Sequence, residues 1–150
     1  MQAQLLETES KFTTRFGEVS FDEANAIAFP NGILGMPNQS KFFVARFPGS
    51  KMEGFSVLQS LVDTQVAFAT LPILPSSTLI DGADIAEVSK VLEIAESDLL
   101  VTLIVSIQKT PSGSRLSVNL RAPVFIDTAQ KRGYQIVLAN PKYPVQHFLG

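Results

Sequence analysis

The stretch 119–150, NLRAPVFIDTAQKRGYQIVLANPKYPVQHFLG, constrains this chain more than any other. Two short apolar runs, 124–127 and 134–138, flank a polar turn at 128–133 that carries Gly133. That pattern predicts a β-hairpin. Pro141 and Pro144 then favour an extended backbone with few ladder hydrogen bonds. A hairpin followed by a rigid aromatic tail suits the docking of a partner better than it suits chemistry.

The rest of the chain is punctuated in the same way. Runs 11–16 and 18–22 flank Gly17 and predict a tight hairpin, with Phe12, Phe16 and Phe21 as aromatic β-formers. A short strand over 25–29 is closed by Pro30, and Pro30-Asn31-Gly32 is a strong turn signal because Pro presets φ and Gly accepts positive φ. A strand over 41–47 ends at Pro48-Gly49. Runs 55–62 and 65–71 flank Asp63-Thr64 and predict a second hairpin. Past Pro72 and Pro75 comes one helix, with Asp84 as its N-cap, Glu87 as the capping-box partner, and Ile85, Val88, Val91 and Leu92 at helical spacing. Glu93 and Glu96 oppose the helix dipole, so the helix is expected to be short. The near-continuous apolar run 99–107 predicts a strand covered on both faces. A turn cluster at 110–114 and an alternating strand at 115–120 follow. The expected fold is mainly β: a small antiparallel β-barrel-like or sandwich domain with one short helix, filling 1–150 as one domain.

Composition narrows the chemistry. The 150 residues include no Cys and a single His, His147. Thiol catalysis and thiolate zinc are excluded, and there is no Gly-rich phosphate loop, no GxSxG elbow and no metal-ligand spacing. The Asp81/Asp84/Glu87 group does not match a calcium loop, and helix capping accounts for it. No catalytic, cofactor-binding or metal-ligating residue is therefore expected. Net charge is −2, and among the twelve Lys and Arg only Lys131 and Arg132 are adjacent. Nucleic-acid binding depends on clustered basic surface, so a basic protein partner is the better match. The N-terminus lacks a signal-peptide pattern, and no apolar run reaches the ~20 residues of a membrane span. A cytoplasmic monomer that contacts neither membrane nor nucleic acid directly is expected. The competing reading is a small β-barrel RNA-binding module, in which exposed members of the eleven Phe residues would stack bases.

The candidate binding residues fall in three places. Ile33, Leu34 and Met36 form an apolar run in a loop, a hydrophobic patch for a partner helix, whereas Pro30 and Gly32 read as turn geometry. Gln59 and Asp63 read either as polar contacts at an interface rim or as a strand hydrogen bond and an Asx-turn. Tyr143, Val145 and Phe148 read either as rigid interface anchors or as side chains that close the barrel. Arg121 reaches a carboxylate across the sheet or is exposed, and the end of the last hairpin, with Asp127, Lys131 and Arg132, reads as solvated.

Three stretches taken together carry a family resemblance. They are Phe29-Pro30-Asn31-Gly32-Ile33 with Gly35; Leu58-Gln59-Ser60 with Asp63, Ala67 and Phe68; and Asn119-Leu120-Arg121-Ala122-Pro123 followed by Gly133, Gln135, Val137, Leu138, Tyr143-Pro144-Val145 and His147. In order and spacing this pattern resembles the flagellar assembly factor FliW family, from about Phe12 to Phe148. Asn31, Leu34, Met36 and Gln146 depart from the family pattern. The resemblance implies a small β-barrel-like fold and a non-enzymatic cytoplasmic regulator. It also implies two partners: newly made flagellin, and the RNA-binding repressor CsrA, whose repression of flagellin translation such proteins relieve allosterically.

Overall fold

Short runs of β-branched and aromatic residues between Pro and Gly breaks do become strands. The computed structural model describes residues 9–49 and 51–150. Among these residues the strands are β1 (Glu9–Thr14), β2 (Gly17–Asp22), β3 (Ile27–Ala28), β4 (Lys41–Arg46), β5 (Ser56–Ser60), β6 (Ala67–Pro72), β7 (Leu99–Thr110), β8 (Gly113–Val118), β9 (Val124–Asp127), β10 (Arg132–Gln135) and β11 (His147–Phe148). One α-helix, α1 (Gly82–Val91), lies between β6 and β7.

The twelve-residue β7 organises the sheet. It pairs with β6 on one side. On the other side Leu99–Thr102 pairs with β9, and 105–110 pairs with β8. The neighbours β9-β7-β6-β5-β4-β3-β10 then close on themselves, because β10 also pairs with β9. The result is a seven-stranded β-barrel. Every joint in it is antiparallel except β3–β10, a single parallel pair between Ala28 and Arg132. Beyond the ring, β11 adds to β8 as a two-residue edge, and β1–β2 form a separate hairpin.

Alternation along each strand sorts side chains between two cores. Ile27, Phe29, Phe42, Leu58, Val124 and Ile126 fill the barrel interior, with Phe68, Leu100 and Ile104 against them. Val101, Leu103, Val105, Val118 and Phe125 face outward. They are covered by α1 through Ile85, Val88 and Leu92, and by the tail through Leu138 and Tyr143. The apolar run in β7 thus has cover on both faces, as its composition predicts. The β1–β2 hairpin shields a third patch, where the rings of Phe12 and Phe21 lie 5.2 and 4.4 Å from that of Phe43. Each fully buried Phe contributes roughly 1.5–3 kcal/mol of transfer free energy.

Several element boundaries differ from the sequence expectation. The strand expected over 25–29 shrinks to Ile27–Ala28, because Glu23–Asn25 form a 3₁₀ turn capped by the Asp22 carboxylate. The strand expected over 134–138 stops at Gln135. From there Ile136 and Leu138 donate to the carbonyls of Pro123 and Arg121 instead of to a neighbouring strand. Asp84 does not cap α1. The flanking residue is Asp81, which makes no side-chain cap bond, and Asp84 lies inside the first turn. The helix ends where Glu93 adopts φ 57° and Ile94 N–H reaches the Ser89 carbonyl at 2.9 Å. This is a left-handed closure of the Schellman type, made here without glycine.

The thin β3–β10 joint is held by packing. A Cβ added to Gly133 would sit 2.3 Å from Cζ of Phe29, so the ring lies directly on the glycine backbone. Gly133→Ala should lower stability by about 2–3 kcal/mol through overpacking, read as a lower midpoint in urea denaturation. The same substitution in a Phe29→Leu background should cost measurably less. An equal cost in both backgrounds would show that the ring is not what the glycine accommodates.

Candidate partner interface

The segment 119–123 holds the end of the chain against the barrel. The Asn119 carboxamide accepts from Ala122 N–H at 3.0 Å and fixes a tight bend. The Pro144 carbonyl accepts from both Leu120 and Arg121 N–H, each at 3.1 Å. The Arg121 side chain donates to the carbonyls of Tyr143 (2.9 Å) and Pro141 (3.3 Å), so it is engaged by backbone and, among the described residues, pairs with no carboxylate. The Gln135 amide donates to the Ala122 carbonyl at 3.1 Å, and its Oε1 accepts from Leu34 N–H at 2.9 Å. One short bend therefore ties the tail, β10 and the 29–36 loop together.

Tyr143 latches this bend to the helix. It is buried, its hydroxyl donates to Asp84 Oδ2 at 2.5 Å, and it accepts from Asp81 N–H at 2.9 Å. Burial, then the hydrogen bond to Asp84, pushes the Tyr143 hydroxyl above its ordinary pKa. Asn140 also donates to Asp84 Oδ2, at 3.4 Å. Asp84, inside the first turn of α1, thus serves the tail and not the cap. Lys142 pairs with Asp81 at 2.5 Å, and that hydrogen bond raises the Lys142 pKa. Both side chains of this pair are more than half exposed, so it contributes little.

The candidate residues separate into a buried and an exposed set. Ile33 is buried in the barrel-interior cluster and exchanges backbone bonds with Met36, while Leu34 (53%) and Met36 (41%) are exposed. Gly32 adopts φ +65°, and a Cβ there would lie 2.4 Å from the Met36 carbonyl, so the loop geometry requires glycine. Gln59 is fully buried, and its amide donates to the carbonyls of Ser60, Thr64 and Val66. It braces the β5–β6 turn from within and is not a rim contact. Asp63 is exposed and closes an Asx-turn onto Gln65 N–H at 2.9 Å. The Ser60 hydroxyl bonds Gln39, Val62 and Asp63, which sets the 29–40 loop beside the β5–β6 turn. Leu34, Met36, exposed Val62 and Asp63 therefore share one end of the barrel. Val62 was not singled out from the sequence, where it reads as a strand residue.

The tail candidates lie elsewhere. Tyr143 is an internal latch, Val145 is exposed, and Phe148 is half-buried in β11 with the Arg115 guanidinium 3.5 Å above its ring. His147 is half-buried in β11 opposite Val118. Asp127 is buried, not solvated, because its carboxylate caps the β9–β10 turn through Ala129 and Gln130 N–H. Among the described residues there is no group of three or more His, Cys, Asp or Glu that could hold a metal. Nor is any helix among them long and apolar enough to cross a membrane.

A closed seven-stranded barrel, a tail anchored by the 119–123 bend and an exposed apolar loop end define a small mainly β domain with no metal-ligating cluster among its described residues. The chain belongs to the FliW family: the model for "FliW protein" matches residues 11–149. It is 32% identical over 133 residues to the flagellar assembly factor FliW 2 of Desulfotalea psychrophila, covering 87% of this chain and 83% of that protein. It is 34% identical over 138 residues to the flagellar assembly factor FliW of Caldicellulosiruptor saccharolyticus, covering 89% and 86%. A crystal structure of a flagellar assembly factor FliW superposes with a TM-score of 0.67 at 22% identity over 93% of this chain and 96% of that one, which shows the shared fold.

Tyr143→Phe should lower stability by about 1–2 kcal/mol, because it leaves Asp84 and Asp81 N–H without the hydroxyl. The alkaline limb should change too. A raised folded-state pKa means that the hydroxyl's stabilisation is complete below the unfolded value of 10.0 and is lost as pH rises through the folded value. Thermal unfolding from pH 8 upward should show the wild type losing stability above about pH 10 more steeply than the variant. Parallel curves would exclude the latch.

Proposed function

We propose that this chain is a cytoplasmic flagellar assembly factor that works as a partner switch. It binds flagellin, and when flagellin is scarce it holds CsrA and antagonises translational repression allosterically. It acts as a monomer, through protein–protein contacts, with no enzymatic step and no direct contact with nucleic acid. The observation that carries this reading is the family match across 11–149, whose relatives are named flagellar assembly factors. The three stretches behind the resemblance support family membership through the fold, since each has a structural task. Phe29 with Gly133 holds the ring, Gln59 braces a turn, and 119–123 anchors the tail.

Flagellin is assigned to the apolar barrel end at Leu34 and Met36, and CsrA, a basic protein, to the exposed Asp63 carboxylate at the same end. The RNA-binding alternative has less support. Phe29, Phe42, Phe43 and Phe125 are buried and unavailable for base stacking, and net charge is −2.

With purified components, calorimetry should give saturable binding of flagellin and of CsrA, and size-exclusion chromatography should show one displacing the other. Binding to neither would reject the proposal. Leu34→Asp and Met36→Asp should each weaken flagellin by about tenfold or more, on the order of 1.4 kcal/mol. Asp63→Lys should slow CsrA association and flatten its salt dependence. Unchanged affinities in these variants would move the sites elsewhere.

A further inference from the structure

We infer that the groove between α1 and the segment 136–140 receives a cationic amphipathic helix of a partner protein. The groove encloses about 450 Å³. Val88, Leu92, Ile136 and Leu138 line it, and all four belong to the outer core or pack against it. Val91 (77%) and Val137 (54%) stand exposed in its lining, one from the helix and one from the extended segment. Exposed valines facing one concavity from two elements form the kind of apolar surface that an amphipathic helix covers.

Charge selects the occupant. The lining includes Asp84 and Glu87 and no basic residue. The surrounding stretch 81–98 carries six of the chain's fourteen acidic residues and only one of its twelve basic ones, Lys90. Asp84 is engaged by Tyr143 and Asn140, and Asp81 by Lys142, whereas Glu87, Glu93 and Glu96 are exposed. An apolar stripe flanked by Lys or Arg would meet the valines and this acidic edge together. A second copy of the chain would bring the same acidic edge against its own, and an anionic lipid surface would be repelled. The latch stiffens the groove, since Tyr143 and Asn140 join the tail to the first turn of α1.

The inference rests on the partner-binding reading above and adds a surface distinct from the Leu34/Met36 end. The test titrates the isotope-labelled full chain with a synthetic Leu/Lys amphipathic peptide and with its Leu/Glu counterpart, followed by amide NMR. The Leu/Lys peptide should perturb Val88 to Leu92 and residues 136–140, and it should bind at least about tenfold more tightly than the acidic peptide. Glu87→Lys should weaken it by about tenfold and flatten its salt dependence, and Val91→Asp should abolish binding. Both side chains are exposed, so neither change should disturb folding, and the unperturbed core resonances verify this. Equal binding of both peptides, perturbations confined to other surfaces, or wild-type affinity in both variants would each overturn the inference. None of these outcomes bears on flagellin or CsrA. Conversely, failure of the wild-type chain to bind those two proteins rejects the partner switch without touching the peptide result.

Discussion

The contact between the Phe29 ring and the Gly133 backbone is the constraint on which the barrel depends. Six of the seven joints in the ring are antiparallel ladders, and the seventh is one parallel pair between Ala28 and Arg132. Two strands of such different length cannot hold a seam by hydrogen bonds alone. Ala28 N–H reaches the Lys131 carbonyl at 2.9 Å, and Phe29 N–H turns away to Ser40. What keeps the sheet closed is a large aromatic ring seated where the opposing strand has no side chain. The interior cluster of Phe42, Leu58, Val124 and Ile126 then packs around that ring.

From this seam the remaining architecture follows in order. The bend at 119–123 leads into β9 and so sits beside the seam, where its carbonyls are free to accept from the chain after β10. The tail is pinned by backbone bonds, and Arg121 and Tyr143 extend the same network to the helix. The helix has no buried residue of its own, and a ten-residue helix is marginal in isolation. Its place on the outer face of β7 is secured by Ile85, Val88 and Leu92 below and by the Tyr143–Asp84 bond at its first turn.

Strand positions and turns were largely legible in the sequence because Pro and Gly mark breaks locally, and the apolar run of β7 announced its double burial. What could not be read was the use to which polar residues are put across long separations. Asp84 looked like an N-cap because it stands three residues before Glu87, yet its partner Tyr143 lies 59 positions away. Gln59 reads either as a rim contact or as a strand hydrogen bond, and Asp127 as a solvated hairpin end, but each satisfies backbone of its own turn from a buried position. Ile33 and Leu34 are neighbours of similar hydropathy, and only the Gly32 turn decides that the first enters the barrel and the second faces out. The family resemblance rested on residues that proved to be structural braces, so it identified the fold better than it located the binding surface.

Closure has a consequence for how anything can be recognised. The seven ring strands offer no row of unpaired amides for a visitor to zip onto, and among the described residues the open edges are left to β11, to the start of β8 and to the separate β1–β2 hairpin. Strand addition is thereby denied to the barrel wall itself. Whatever docks on that wall must be held by shape and charge.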